Sequence, residues 1–121
     1  MRLGYVVIYV EDPDSCVEFW TKSIGFILLS ELRLSDHTIR RVGLNVQGPS
    51  IELVPMALMK DNPDGLDLAT PSLCFYVDNI QGEHNRLKNN GVEVSEIVQH
   101  FGKETFAFSD NEERWFAVME M

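Results

Sequence analysis

The feature that most constrains this chain is an internal repeat. The apolar segment at residues 5–10 is echoed by residues 72–77, and each copy leads into acidic residues. Each is followed by a stretch of helical character that ends at a glycine, Gly25 in the first copy and Gly91 in the second. Such repetition fixes the architecture, because a unit too small to bury its own apolar face must pack on another unit.

Composition limits the classes of protein that the chain can belong to. Its 121 residues suffice for one hydrophobic core, and 45% hydrophobic with 24% charged residues is typical of a globular domain. No apolar run reaches the roughly 20 residues of a membrane span, and no signal peptide is recognisable, so we expect a cytoplasmic protein. A net charge of −9 argues against nucleic acid and anionic membranes as partners. Cys16 and Cys74 fit no metal or redox spacing and are predicted to be free thiols.

The first copy has the pattern of a strand, a helix and three further strands. Residues 3–10 are rich in β-branched and aromatic side chains, which favours a strand. Asp12 and Pro13 then predict an N-cap and a first helical turn, and the helix should run over 13–23 and end at Gly25. The remaining strands are predicted at 26–33, 38–46 and 50–54.

The second copy repeats this plan after a connector of loop composition at 56–68. A strand is predicted at 71–77 and a helix at 79–90, with Asp78 as its N-cap. Three strands follow, near 92–97, 104–109 and 114–120. We therefore expect an α+β fold in a single domain, 1–121, with module one at 1–55, the connector at 56–68 and module two at 69–121.

Several short motifs occur in an order and spacing that resemble one superfamily over essentially the whole chain. They are Asp12-Pro13, Phe19-Trp20, Ile24-Gly25-Phe26, Ile51-Glu52-Leu53, Phe75-Tyr76-Val77-Asp78, Asn90-Gly91-Val92 and Phe106-Ala107-Phe108-Ser109-Asp110. The chain resembles the vicinal oxygen chelate superfamily, which includes glyoxalases, extradiol dioxygenases and bleomycin-resistance proteins. The resemblance implies two βαβββ modules that form a curled mixed sheet, with outer helices and a cavity on the concave face.

The resemblance also implies four positions at which metal-dependent members hold a divalent ion. Two are histidines that open the first strand of each module, and two are glutamates on the last strand of each module. The corresponding residues of this sequence are Tyr5, Ser72, Glu52 and Ala117. Because Glu52 alone is a metal ligand, we expect no cofactor and no metal at this site; a divalent ion held at Glu52 is the alternative.

Alternation along the strands predicts which side chains line the cavity. The predicted lining is aromatic and mostly apolar with one acid, which is typical of a ligand pocket: Tyr5, Val7, Tyr9, Glu52, Val54, Ser72, Cys74, Tyr76, Trp115, Ala117 and Met119. The alternate residues should pack under the helices: Val6, Ile8, Val10, Leu73, Phe75, Val77, Phe116 and Val118.

For several of these residues the sequence leaves alternatives open. The tyrosines could be packed core instead of ligand contacts. Trp20 could belong to the core, to a dimer interface or to the ligand site, and the first two are favoured. Glu52 needs a partner in an apolar cavity, and the Tyr5 hydroxyl, a cationic ligand or water could supply it. Arg40 and Arg41 could reach a neighbouring subunit. The three histidines are scattered and are expected to be exposed.

Two functions fit this reading. The favoured one is a homodimeric, metal-free small-molecule-binding protein of the bleomycin-resistance type, which sequesters a flat or cationic ligand by aromatic stacking and cation–π contact. The alternative is an enzyme of the lyase, isomerase or dioxygenase type, with Glu52 as general base and Tyr5 or Ser72 as donor to an oxyanion. Whether the protein is an enzyme stays open. A regulatory module that binds a partner through the same cavity is a third possible function.

Overall fold

The computed structural model describes all residues, Met1–Met121. The chain divides into two compact units, Met1–Pro71 and Ser72–Met121. Unit one contains β1 (Val6–Val10), α1 (Pro13–Glu18), β2 (Ile27–Arg33), β3 (Thr38–Gly43) and β4 (Ser50–Pro55), followed by a 3₁₀ turn at Met56–Met59. Unit two contains β5 (Cys74–Val77), α2 (Ile80–Asn89), β6 (Val98–His100), β7 (Lys103–Ser109) and β8 (Trp115–Glu120).

Each unit folds its own four-stranded mixed sheet with the same strand order. The order is β1-β4-β3-β2 in unit one and β5-β8-β7-β6 in unit two. In both sheets the first and last strands pair in parallel, while the remaining pairs are antiparallel. The predicted α+β fold with two βαβββ modules is therefore confirmed, and the internal repeat in the sequence corresponds to a repeat of topology.

The first helical segment covers the predicted residues, but only its first half is an α-helix. The Asp12 carboxylate accepts a hydrogen bond from the Ser15 N–H at 3.3 Å, and Pro13 occupies the first helical position, where its missing N–H costs nothing. After α1 the chain continues as a π-helix, Phe19–Ile24. It stops at Gly25, which has φ of 100° and so adopts the left-handed conformation that glycine tolerates best.

Two local predictions in unit two are wrong. The N-cap of α2 is Asn79 rather than Asp78, because the Asn79 side-chain oxygen accepts from the Gly82 N–H, three residues on, at 3.0 Å. The strand expected near 92–97 is reduced to an isolated bridge at Val94, and β6 begins only at Val98.

Side-chain competition explains the missing strand. The Ser95 carbonyl accepts a hydrogen bond from His84 Nε2 at 2.8 Å, and the Ala107 N–H donates instead to the Ser95 hydroxyl at 2.8 Å. A side chain of α2 thus takes the place of a ladder bond in β7. His84 also meets the Phe106 ring edge-on at 5.0 Å and is partly buried, which contradicts its expected exposure.

The helix-side faces of the sheets form the core. In unit one, Trp20 and Cys16 are fully buried with the inward residues of the strands, and Trp20 stacks on Phe26 with ring centroids 5.7 Å apart. This settles Trp20 as a core residue. In unit two, the buried side chains are Ile80, Leu87, Phe106, Phe108, Phe116 and Val118. Burying each such side chain stabilises the fold by about 1.5–3 kcal/mol.

Two further observations complete the fold. Cys16 and Cys74 are both free thiols, as predicted, the first buried and the second exposed. Neither α1 nor α2 has the length and apolar character that a bilayer crossing requires.

Candidate functional site

The sheet of unit one carries a second face, opposite to α1, on which most of its predicted site residues lie. The strand register places Val7 and Arg41 beside Glu52, and Tyr9 beside Val54. Neighbours in register project from the same side of a sheet, so these side chains share one face. Tyr5 stands just before β1 and is 39% exposed.

Arg41 is the central group of this face. Its Nη2 donates a hydrogen bond to Glu52 Oε2 at 2.8 Å, and its Cζ lies 3.8 Å from the centroid of the Tyr5 ring. The Arg41 side chain is 33% exposed and that of Glu52 is 17% exposed. Tyr5, Arg41 and Glu52 thus form one stacked and ion-paired cluster, which we call the Arg41 cluster.

The cluster supplies the partner that Glu52 needs. The sequence left a tyrosine hydroxyl, a ligand cation or water open for this role, and the structure uses a guanidinium from the neighbouring strand. A salt bridge that is only partly buried contributes modestly to stability. Its larger consequence is chemical: a permanent positive charge stands beside the one carboxylate of this face.

Arg40, the preceding residue, points to the helix side of the same sheet. It donates to Glu31 at 3.0 Å and to Asp14 of α1 at 2.6 Å. Partial desolvation lowers the pKa of Arg40, but hydrogen bonds and attraction from Glu31 and Asp14 outweigh it, so the pKa is raised overall. Both arginines are therefore engaged within their own unit.

The predicted site residues of unit two also share a face, which is open to solvent. Cys74 lies beside Ala117, and Tyr76 beside Met119. Tyr76 is 67% exposed and Trp115 is 48% exposed. The alternate residues of β8, Phe116 and Val118, are buried on the helix side. Ser72 is exposed just before β5.

The turn before Trp115 is held by a buried ion pair. The Asp110 carboxylate accepts hydrogen bonds at 2.9 Å from the Glu112 N–H, the Arg114 N–H and Arg114 Nη1. Desolvation lowers the pKa of Arg114, but the hydrogen bonds with Glu112 and Asp110 and their charges outweigh it, so the pKa is raised. This turn fixes the start of β8 and hence the position of Trp115.

No three histidine, cysteine, aspartate or glutamate side chains come together as metal ligands. Unit one also has a hollow of about 280 Å³ between α1 and the β2–β3 hairpin, but it lies away from the Arg41 cluster. The cationic Arg40 in its wall is already paired with two carboxylates. We therefore take the Arg41 cluster as the candidate site of unit one.

Sequence reasoning missed the role of Arg41, although a signal was present. Strands β3 and β4 form an antiparallel pair in which Arg40 lies opposite Leu53, and Gly43 opposite Ser50. A hairpin symmetric about the peptide between Val46 and Gln47 brings Arg41 opposite Glu52. That centre is the middle of the turn Asn45–Gly48, in which the Asn45 side-chain oxygen accepts from the Gly48 N–H at 2.6 Å. This turn sets the register of the two strands.

Comparison with known proteins places the chain in a family. Residues 2–118 match the family model of the Glyoxalase/Bleomycin resistance protein/Dioxygenase superfamily. The chain belongs to this superfamily. It is also 28% identical over 122 residues to the uncharacterized protein YetH of Bacillus subtilis (strain 168), with 98% of each chain covered.

Solved structures of the superfamily share the fold. The antibiotic binding protein TnmS3 from Streptomyces sp. CB03234 superposes with a TM-score of 0.80 and 18% identity, covering 99% of this chain and 95% of TnmS3. Lactoylglutathione lyase from Agrobacterium tumefaciens superposes with a TM-score of 0.74 and 16% identity, covering 98% and 92%. A binding protein and an enzyme are thus equally compatible with this fold, so function must be argued from the site.

Proposed function

We propose that this superfamily member is a small-molecule-binding protein that holds a flat ligand by aromatic stacking and carries out no metal-dependent chemistry. One observation carries the proposal: Glu52 is ion-paired to Arg41 at 2.8 Å. A divalent cation at Glu52 would have to displace or approach a permanently charged guanidinium, and like charges at this distance repel. Tyr5, the other position of this unit at which metal-dependent members hold a ligand, stacks on Arg41 and supplies neither imidazole nor carboxylate.

The aromatic side chains of the two open sheet faces support a stacking ligand. Tyr5 in unit one, and Tyr76 and Trp115 in unit two, are each more than a third exposed. Exposed aromatic side chains of this kind provide large contact areas at small cost in conformational entropy. The similarity in fold to an antibiotic binding protein agrees with this proposal.

The enzyme alternative is weaker because of the same ion pair. A general base must reach the proton of its substrate with a free carboxylate oxygen. Arg41 engages Glu52 Oε2 and the side chain is only 17% exposed, so Oε1 alone would have to act as the base. A homodimer remains our expectation for the assembly.

A ligand screen by thermal shift tests the proposal. We expect planar aromatic compounds to raise the melting temperature, since a ligand that binds only the folded state stabilises it. Tyr5→Ala should weaken binding of a hit at the Arg41 cluster by roughly tenfold, as expected for the loss of one aromatic contact. Phe101→Ala, which removes a 95% exposed aromatic from the β6–β7 turn, is the matched control and should leave binding unchanged.

The opposite pattern would reject the proposal. If zinc, nickel or manganese raised the melting temperature and a chelator reversed the effect, while no planar compound acted, the protein would be a metal-dependent member instead. Turnover in a lactoylglutathione lyase assay that is abolished by Glu52→Ala would support the enzyme alternative.

A further inference from the structure

Only some of the hydrogen-bond donors of the Arg41 guanidinium have a partner within the protein. It donates one hydrogen bond, from Nη2 to Glu52. Its Nε–H is buried and has no hydrogen-bond partner. A ligand cannot reach this buried group, but the N–H groups of Nη1 also make no hydrogen bond within the protein and, unlike Nε, they are not buried. Nη1 therefore has the donors that a bound ligand can use.

The surroundings of Arg41 leave a defined part of the group available. The Tyr5 ring covers one flat side of the guanidinium, with Cζ 3.8 Å from the ring centroid, and Glu52 occupies Nη2. An arginine has five N–H donors in a planar fork, which fits the two oxygens of a carboxylate. One third of the Arg41 side chain is exposed, so an acceptor on a ligand can reach it.

The charge that this site presents to a ligand depends on which partner of the ion pair is more accessible. Arg41 and Glu52 cancel each other in net charge, but Arg41 is 33% exposed and Glu52 only 17% exposed. A ligand that approaches this face therefore meets the positive member more readily than the negative one. A ligand cation would instead compete with Arg41 for Glu52.

From this geometry we infer that Arg41 is a specificity-determining residue that selects flat ligands carrying an anionic oxygen, such as a carboxylate or a phenolate. The inference rests on the proposed binding function and deepens it. It also reverses the ligand charge that Glu52 alone suggested, because the cation that Glu52 would attract is already supplied by the neighbouring strand.

Three probes that share one ring system test the inference: naphthoate, naphthamide and naphthylmethylammonium, measured by isothermal titration calorimetry. Wild type should bind naphthoate most tightly and the ammonium least. Arg41→Met should weaken naphthoate by about tenfold or more, as expected for a charge-assisted hydrogen bond, and change naphthamide less. The same substitution should strengthen the ammonium, because Glu52 then lacks a partner.

Two further variants make the test independent of a simple loss of structure. Glu52→Gln should act in the opposite sense to Arg41→Met, strengthening naphthoate and weakening the ammonium. Arg41→Lys should keep the preference for naphthoate with reduced affinity, since lysine retains the charge but lacks the planar fork. If Arg41→Met fails to fold, these two variants decide the matter.

Arg40→Met is the matched control. It removes the same charge from the adjacent position of β3, but on the helix side, where Arg40 pairs with Glu31 and Asp14. The order of the three probes should be unchanged in this variant. Equal binding of all three probes to wild type, or an order unaffected by Arg41→Met and Glu52→Gln, overturns the inference while the proposed function stands. If no planar compound binds wild type at all, the proposed function fails and the inference with it.

Discussion

Arg41 and Arg114 each pair with a carboxylate at nearly the same distance, 2.8 Å to Glu52 and 2.9 Å to Asp110, but they meet solvent differently. The Arg41 side chain is 33% exposed, whereas that of Arg114 is 12% exposed and that of Asp110 is 1% exposed. Asp110 also accepts two backbone N–H groups. The buried pair is thus fully used in holding a turn, whereas the accessible pair keeps donors for a ligand.

The buried pair predicts a large loss of stability in Asp110→Ala. Removing the carboxylate leaves Arg114 with Glu112 as its remaining partner and leaves two backbone N–H groups unsatisfied, which should lower the free energy of unfolding by about 3 kcal/mol. Urea denaturation measures the change. Asp64→Ala in the exposed connector, as control, should stay within about 0.5 kcal/mol of wild type. A loss below about 1 kcal/mol in Asp110→Ala would show that the turn relaxes or admits water.

The pH dependence of this pair follows from the raised pKa of Arg114. A cation whose pKa is higher in the folded state contributes stability that is fully present below its ordinary pKa. That contribution is lost only as the pH rises through the pKa of the folded state, which lies in strong alkali. The guanidinium side of the ion pair therefore does not weaken across the neutral range.

At the scale of elements, the sequence predicted what depends on local pattern and missed what depends on neighbours. The strand–helix–strand–strand–strand order, the glycine ends of the helices and the inward faces follow from periodicity and from Gly25 and Gly91. The strand expected near 92–97 was wrong because the His84 side chain takes the Ser95 carbonyl. The Arg41–Glu52 pair requires the register of two strands, which side-chain period alone does not give.

The two candidate caps of α2 provide a direct test at this scale. Asn79→Ala should destabilise the protein by about 1 kcal/mol, because the Gly82 N–H loses its acceptor. Asp78→Ala removes the cap that the sequence suggested and should change the free energy of unfolding by less than about 0.5 kcal/mol. Both are read from urea midpoints at an unchanged slope. A larger effect at Asp78 than at Asn79 would mean that the helix starts one residue earlier in solution.

At the scale of the whole molecule, the net charge of −9 opposes the ligand charge that Arg41 favours. The two act over different distances. The field of the whole chain reaches outward by about 30 Å at 0.01 M salt but only about 8 Å at 0.15 M. A hydrogen-bonded contact with a partly buried guanidinium is screened much less. The total charge should therefore govern approach, and Arg41 should govern the bound state.

This difference in range predicts the salt dependence of binding. Raising the salt concentration screens the repulsion between naphthoate and the acidic surface, so its affinity should rise or stay level instead of falling. The affinity of naphthylmethylammonium should fall, because it loses a long-range attraction and has no contact with Arg41 to retain. Calorimetric titrations at low and physiological salt measure both slopes. In Arg41→Met, naphthoate should remain weak at every salt concentration. A steep fall of naphthoate affinity with salt in wild type would contradict this account. It would mean that exposed lysine or arginine side chains, and not the Arg41 cluster, hold the ligand.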